Sequence, residues 1–291
     1  MDNGFEPEPS SLDCVSLKMP ISNQSRKDLK LWEWLKISSF FAFEEAEMTK
    51  QQTPLLPLAL TLTILNTTTA LSHPMEHHIE RLRSFGLPLD APSTHQDDEQ
   101  DDRPKASVLV PLFEHADSEG GQKRTHVLLT KRPENLESHP GQVCFPGGRQ
   151  EEADNGDVVL TALRETKEEV GMDHDRIVPI CKLRSIESVN GLCVTPIIGR
   201  IKGSFNIHSD LTLCPNEVEA AFAVPLDFFT DESNIAECKE IDWKGSKYTL
   251  RTYYYTCSSS DREFKIWGLT AGIIHHVAEI AYGSSSGKLR M

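Results

Sequence analysis

The sequence lacks a surplus of positive charge. Its 291 residues include 30 Lys and Arg against 44 Asp and Glu, which gives a formal net charge of −14. We therefore expect no broad basic surface for nucleic acid and none for an anionic membrane. A phosphorylated small molecule is still compatible with this balance, because acidic residues that bind divalent metal ions can bring phosphate groups in.

Paired cysteines are also missing. The chain has seven cysteines, an odd number, and none of them are spaced as C-x-x-C. This pattern argues against a disulfide framework and against a structural zinc site, and it favours a reducing intracellular compartment. Glycine and proline, at 17 residues each, exclude collagen-like and low-complexity sequence. The apolar share of 38% is low, so part of the chain is expected to be unpacked.

Residues 1–102 are expected to form an N-terminal extension that is mostly disordered or serves as a targeting or linker segment. Residues 51–75 contain no Asp, Glu, Lys or Arg, but their apolar part, within 54–72, is interrupted by proline and diluted by threonine. A membrane span needs about 20 mostly apolar residues, so the segment does not favour one. The alternatives are a linker with an apolar patch or, if translation started at Met48, the apolar region of a leader peptide.

The remainder of the sequence predicts one folded domain at residues 103–283 and a flexible tail at 284–291. Pro196 interrupts one apolar run and indicates an irregular or edge strand. Mixed strands and helices in one domain predict an α+β fold. Apolar patterning predicts strands at 106–112, 126–130, 177–183, 192–201 and 248–256, and helices at 76–85, 155–171, 217–223 and 268–282.

A glutamate cluster carries the main chemical signal. Glu165, Glu168 and Glu169 lie at positions i, i+3 and i+4, so helix geometry puts their carboxylates on one face. A solvated acidic face is the usual explanation of such a cluster. The alternative is a metal site, because clustered carboxylates are the oxygen ligands that Mg²⁺ or Mn²⁺ prefers, and Arg164 could clamp one of them bidentately.

The cluster and a preceding glycine pair together resemble the Nudix box. The family pattern is G-x5-E-x7-R-E-U-x-E-E-x-G-U, with U apolar, and the chain carries Gly147-Gly148 followed by RETKEEVGM from Arg164 to Met172. The two glycines would let the backbone come close to a ligand or to the helix. The resemblance implies an α/β/α sandwich, the Nudix fold, with a mixed sheet between helices.

The chain departs from the box in two ways. Thr166 takes a position where an apolar residue is usual, and the segment that joins the two parts of the box is longer than the standard one. We interpret the extra length as a loop insertion before the helix. Asp154 or Glu152 is then the nearest substitute for the first glutamate of the family pattern.

The run from Leu128 to Gly148 resembles the extended signature of the coenzyme A diphosphatase branch of this family, as do Pro215–Glu219 and Trp267–Ala271. This resemblance implies metal-dependent hydrolysis of coenzyme A or acyl-CoA to 3′,5′-ADP and (acyl-)4′-phosphopantetheine. It also implies a peroxisomal or mitochondrial location, although the last residues of the chain lack the Ser-Lys-Leu signal for peroxisomes.

The same resemblance assigns roles to single residues. Glu165, Glu168 and Glu169 would bind Mg²⁺ or Mn²⁺, and Arg164 would orient their carboxylates. The general base would be either Glu168 or a loop acid outside the box, Glu217.

Four further residues are candidates for substrate binding. Gly147 and Gly148 would approach the diphosphate through their backbone. Lys131 and Arg132 would bind phosphate, the 3′-phosphate in particular, or would simply end a surface strand.

Two other functions stay open at this point. One is hydrolysis of a different diphosphate, such as ADP-ribose, a dinucleotide or a capped RNA end. The other is a non-catalytic Nudix module that senses a ligand or binds a protein, although such modules tend to lose the carboxylates that this chain keeps. The sequence indicates no oligomeric state.

Overall fold

The structure is a computed structural model that describes residues 74–91, 103–116, 121–258 and 260–283. The expected disorder of the extension, the apolar segment at 54–72 and the expected tail at 284–291 lie outside the described residues. All described residues belong to one compact unit. Within the described ranges, no helix is both long enough and apolar enough to cross a membrane.

A mixed sheet of eight strands forms the centre of the fold. Its strands are β1 (Lys105–Ala116), β2 (Lys123–Lys131), β3 (Val143–Cys144), β4 (Gly147–Arg149), β5 (Ile177–Lys182), β6 (Ile186–Glu187), β7 (Cys193–Ile201) and β8 (Ala220–Pro225). The main path runs β3-β2-β1-β7-β5, with β4 beside β1, β6 beside β7 and β8 beside β2. The β1–β7 pair is parallel and the other pairs are antiparallel. This arrangement confirms the expected mixed sheet.

Helices and a second, smaller sheet complete the fold. The helices are α1 (Pro74–Phe85), α2 (Val158–Val170), α3 (Ile207–Asp210) and α4 (Gly268–Tyr282). Short 3₁₀ helices lie at Glu152–Asp154, His174–Arg176, Leu226–Thr230 and Glu232–Asn234. Strands β9 (Ile235–Trp243), β10 (Ser246–Cys257) and β11 (Arg262–Trp267) form an antiparallel sheet in the order β11-β10-β9.

The main sheet is covered by helices on both faces. Successive residues of a strand point to opposite faces, and β1 divides its apolar side chains in this way. Leu109 and Phe113 belong to the core beneath α2. Val110 and Leu112 belong to the core beneath α1 and α4. The α/β/α sandwich is therefore confirmed.

Helix α1 packs on the body of the domain. Met75, Ile79 and Leu82 are buried in the core that they share with α4. The following segment continues this attachment, since Leu87 and Lys182 exchange backbone hydrogen bonds of 2.8 and 3.0 Å. A boundary at residue 103 leaves this helix out, because the sequence shows its helical period but not the core it joins. The folded body starts no later than Pro74.

The helices expected at 155–171 and 217–223 differ from those in the structure. Helix α2 starts three residues late, because Asn155 and Gly156 adopt left-handed φ values of 50° and 77° and Asp157 caps the helix. The helix expected at 217–223 is wrong: Ala220–Pro225 is strand β8, paired with β2.

Of the two expectations for Pro196, the edge position is wrong, whereas irregular pairing is what the structure shows. The residue lies in β7, between β1 on one side and β5 and β6 on the other. Proline is tolerated in this interior strand because its neighbour is interrupted between β5 and β6, where Leu183 N donates to Pro196 O at 2.9 Å.

Candidate active site

Three glutamates meet at the side of α2 that faces the loop before β8. Carboxylate oxygens of Glu165, Glu169 and Glu217 all lie within 4.8 Å of one another. Helix spacing i, i+4 places the first two together. The loop brings the third, because Cys214 N donates to Glu169 O at 2.8 Å and Glu217 N donates to Cys214 O at 3.0 Å. This group is the strongest candidate for a metal site in the described part of the chain.

The glycine pair lies directly against these carboxylates. Gly147 N donates to Glu169 Oε2 at 3.2 Å. A Cβ atom at Gly148 would lie 2.4 Å from the carboxyl carbon of Glu165, and one at Gly147 would lie 2.4 Å from Ser107 O. Gly147 therefore requires glycine, because the close atoms are backbone and its φ is 149°, whereas a side chain at Gly148 would displace the Glu165 carboxylate.

The electrostatics of the group are those of crowded carboxylates. Burial raises the pKa of Glu169 to about 8, and the neighbouring Glu165 and Glu217 add to this effect. Burial also raises the pKa of Glu165. A divalent cation would supply the positive charge that favours the ionised forms. Three carboxylate oxygens, one of them on a buried side chain, are a donor set that fits Mg²⁺ or Mn²⁺.

Arg164 ties helix α2 to the inserted loop. Its Nε and Nη2 donate to the two oxygens of Asp154, both at 3.0 Å, and its Nη2 also donates to Arg149 O at 3.0 Å. Its Nη1 donates to Glu165 Oε1 and Glu168 Oε2, each at 3.0 Å. The side chain thus touches two box carboxylates, in keeping with the positioning role inferred from the sequence.

Glu168 does not join the three-glutamate group. Its side chain is 54% exposed and its carboxylate accepts from Arg164. The sequence grouped Glu165, Glu168 and Glu169 by helix spacing and by family resemblance, whereas the carboxylates that meet in the structure belong to Glu165, Glu169 and Glu217. Glu168 is held aside by its hydrogen bond from Arg164.

Asp154 has a role that the sequence did not assign. The sequence suggested it only as a substitute for a missing glutamate, yet both of its oxygens are engaged by Arg164, and Thr161 Oγ1 donates to it at 3.0 Å. The bonds from the Arg164 guanidinium are the main reason that its pKa falls to about 2. Its partner Arg164 lies ten positions away across the loop, a spacing with no local signature. Glu152, the other suggested substitute, is exposed.

Lys131 and Arg132, the basic pair beside the site, differ in their contacts. Lys131 Nζ donates to Glu134 Oε1 at 2.7 Å and to Glu219 Oε2 at 2.8 Å, so its charge is already balanced by two carboxylates. The Nε atom of Arg132 is buried and has no hydrogen-bond partner within the described structure. Of the two, Arg132 is the residue with a buried side-chain donor that has no partner in the described structure.

Two further observations explain features of the box. Thr166 is fully buried, and its hydroxyl donates to Ala162 O at 2.6 Å, which satisfies a polar atom at a position where the family has an apolar residue. Burial raises the pKa of the Cys144 thiol to about 11, so the thiol stays protonated at neutral pH. This agrees with packing rather than nucleophilic chemistry.

Comparison with known proteins gives consistent matches. The NUDIX domain model matches residues 104–235. Mitochondrial Nudix hydrolase 15 of Arabidopsis thaliana is 38% identical over 180 residues, which are 61% of this chain and 59% of that protein. A peroxisomal coenzyme A diphosphatase of Mus musculus is 32% identical over 176 residues, 60% of this chain and 70% of that protein.

A bacterial relative is matched over most of its length. Nudix hydrolase NudL of Photorhabdus laumondii is 34% identical over 179 residues, which are 62% of this chain and 86% of that protein. These matches agree with the glutamate group, the glycine pair and the sandwich fold described above. The chain therefore belongs to the Nudix family and has the Nudix fold.

Proposed function

We propose that this protein hydrolyses a diphosphate bond with the help of Mg²⁺ or Mn²⁺, and that its substrate is coenzyme A or acyl-CoA. The products would be 3′,5′-ADP and (acyl-)4′-phosphopantetheine. The observation that carries the proposal is the group of Glu165, Glu169 and Glu217 against the Gly147-Gly148 turn. Such a site suits the highly charged transition state of phosphoryl transfer to water.

The three glutamates would hold the metal. When bound, the metal supplies charge neutralisation at the phosphoryl oxygens and a lowered pKa for the attacking water. The chain's own contribution is to fix the ligands beforehand. Arg164 restrains the carboxylate of Glu165, and Gly147 N restrains that of Glu169. Because these contacts already exist, little reorganisation is needed when substrate arrives.

The positions of Glu168 and Glu217 support different roles for the two candidate general bases. Glu217 lies within the metal-facing group, so we assign it to metal binding, which leaves Glu168 for proton transfer. The assignment can be tested by titrating Mn²⁺ against Glu217→Gln and Glu168→Gln. A ligand variant should shift the Mn²⁺ midpoint, whereas a base variant should lower turnover and remove the acid limb of the pH profile without moving that midpoint.

The choice of coenzyme A rests on two supports. The Leu128–Gly148 run resembles the coenzyme A branch, and one relative carries that activity in its name. Arg132 offers a buried, unpartnered Nε atom near this run, whereas Lys131 is already paired. A charge-assisted bond from Arg132 to the 3′-phosphate would be worth about 1.5–3 kcal/mol, or roughly a 10- to 150-fold preference over 3′-dephospho-coenzyme A.

The direct test is a substrate panel. Coenzyme A, 3′-dephospho-coenzyme A, ADP-ribose and diadenosine polyphosphate are each incubated with the full chain, with and without Mg²⁺ or Mn²⁺. We expect coenzyme A to be hydrolysed fastest, and we expect Arg132→Ala to reduce its advantage over the dephospho form more than Lys131→Ala does.

The other outcomes are equally informative. Faster hydrolysis of ADP-ribose or of the dinucleotide would overturn the coenzyme A assignment but keep the diphosphatase activity. Binding of a nucleotide without hydrolysis of any substrate, at any metal concentration, would instead identify a ligand-sensing Nudix module.

A further inference from the structure

Strand β9 forms one edge of the smaller sheet. In the described part of the chain it pairs only with β10, and residues 236–240 are exposed. An edge strand presents a row of unpaired N–H and C=O groups, which another strand can use. Exposed edge strands are usually short, whereas β9 spans nine residues from Ile235 to Trp243.

The charges along this edge are arranged symmetrically about one residue. Glu237 and Lys239 flank Cys238, point to the same face of the sheet, and lie opposite Thr252 and Leu250 of β10. Within one chain Lys239 Nζ donates to Glu237 Oε2 at 3.2 Å, an exposed contact that pairing with a second copy would exchange for two contacts between chains. In an antiparallel pair of two identical strands centred on Cys238, each Glu237 would lie opposite a Lys239. Opposite charges directly across from each other stabilise a strand pair.

Other registers lack this match. A twofold axis at residue 237, 239 or 240 places a charged residue opposite its own copy, and an axis at Ile241 places Glu240 opposite Asp242. Like charges directly opposite each other destabilise a strand pair. Among twofold registers centred on residues 237 to 241, only the one at Cys238 joins opposite charges without opposing like ones. Register is therefore specified by the side chains themselves.

We propose that β9 is a homodimer interface, in which two copies of this chain pair antiparallel through their β9 edges about a twofold axis at Cys238. The two small sheets would then join into one sheet of six strands, in the order β11-β10-β9 and its symmetric repeat. Such a self-complementary contact closes after two copies, as twofold symmetry requires, so it gives a dimer rather than a filament.

The test uses charge reversal on purified full-length protein, with mass measured by sedimentation or light scattering over a range of concentrations. Glu237→Lys alone and Lys239→Glu alone should each weaken the dimer at least about fivefold in Kd, because two opposite-charge pairs per interface become like-charge pairs. The double variant E237K/K239E should recover the parent affinity. An equimolar mixture of the two single variants should dimerise better than either alone.

A matched control and a second readout sharpen the test. Glu263→Lys makes the same charge change on β11, the other edge strand, at an exposed position and should leave the dimer unchanged. Copper-phenanthroline oxidation should cross-link two chains through Cys238, since residues opposite each other in an antiparallel pair lie about 4.5–5.5 Å apart at Cα, within disulfide reach. Cys238→Ser should abolish this cross-link.

The proposal is overturned by a parent protein that stays monomeric at all concentrations tested. It is also overturned by a dimer that survives both single reversals, or by reversals that the double variant does not rescue. None of these outcomes depends on enzymatic activity, so the dimer and the proposed reaction are tested independently.

Discussion

The two helical layers of this protein bury ionisable groups in opposite ways. On the α2 side, Glu169 is a buried carboxylate with two further carboxylates beside it. On the α1 and α4 side, His78 and His276 are buried among apolar and aromatic side chains, and burial lowers the pKa of each to about 4. Burial disfavours the ionised form in both layers, but a cation can restore it in the carboxylate group, whereas the two histidines stay neutral at pH 7.

On the function proposed above, the difference separates a layer that serves chemistry from one that serves stability. A neutral histidine in a core costs little at pH 7, and His78 also hydrogen-bonds Thr125 at 2.9 Å. Clustered carboxylates destabilise the fold unless a cation joins them. We therefore expect changes in the α1 and α4 layer to affect unfolding, and changes at the α2 glutamates to affect catalysis. The following predictions test that division, from the largest effect to the smallest.

Removal of α1 should have the largest effect. A chain that starts at residue 103 loses Met75, Ile79 and Leu82 from the core. At about 1.5–3 kcal/mol for each buried side chain, the loss is comparable to the whole stability of a typical domain. We expect this chain to be insoluble or largely unfolded by circular dichroism, while a chain that starts at Leu71 folds. If both fold equally well, α1 is not part of the structural layer.

Glu165→Gln and Glu169→Gln should each lower diphosphatase turnover at least about 10²-fold, the scale of losing one electrostatic stabiliser. The melting temperature without metal should hold or rise, because repulsion between like charges is relieved. Glu152→Gln is the matched control, since this exposed residue lies in the inserted loop and contributes no ligand to the group. Activity within a few-fold of the parent would remove the α2 glutamates from the metal site.

The features of the two layers that could be predicted from the sequence are those fixed by the spacing of residues within one helix. The pairing of Glu165 with Glu169 follows from i, i+4 geometry, and α4 begins and ends where its apolar period predicted. The position of Glu217 came only from family resemblance, because a loop acid has no periodicity.

Long-range contacts account for the rest. The bonds of Asp154 to Arg164 and the docking of α1 depend on which segments the fold brings together. The error at 217–223 has a related cause: a short apolar run is compatible with helix or strand, and pairing with β2 decides between them.

Asp154→Asn should lower the free energy of unfolding less than the loss of α1 does. The substitution should also change how this free energy depends on pH. Arg164 lowers the pKa of Asp154 to about 2, below the ordinary value of 3.8, so the folded state favours the ionised form. The contribution, about 2 kcal/mol, is present above pH 4 and is lost as the pH falls towards 2. Urea unfolding at pH 7 should show this loss in the variant, and acid unfolding between pH 4 and 2 should be less steep. A parent and variant of equal stability at pH 7 would show that the Asp154–Arg164 contact does not support the site.

His276→Leu should have the smallest effect and the opposite sign at neutral pH. His276 Nδ1 is buried without a hydrogen-bond partner in the described structure, and the ring packs edge-on against Phe85 at 5.4 Å. Because the folded pKa of His276, about 4, lies below the ordinary value of 6.5, the unfolded state binds more protons than the folded state between these two pH values. The free energy of unfolding is therefore highest above pH 6.5, and it falls as the pH drops, by about 1 kcal/mol at pH 6 for each such histidine.

At pH 7.5 the free energy of unfolding of His276→Leu should equal or exceed that of the parent. Between pH 7.5 and 6 the variant should lose less of this free energy than the parent does, and His78 should account for part of the remaining loss. An unchanged slope would place the titration elsewhere, and His276 would then not belong to a layer whose histidines are held neutral by burial.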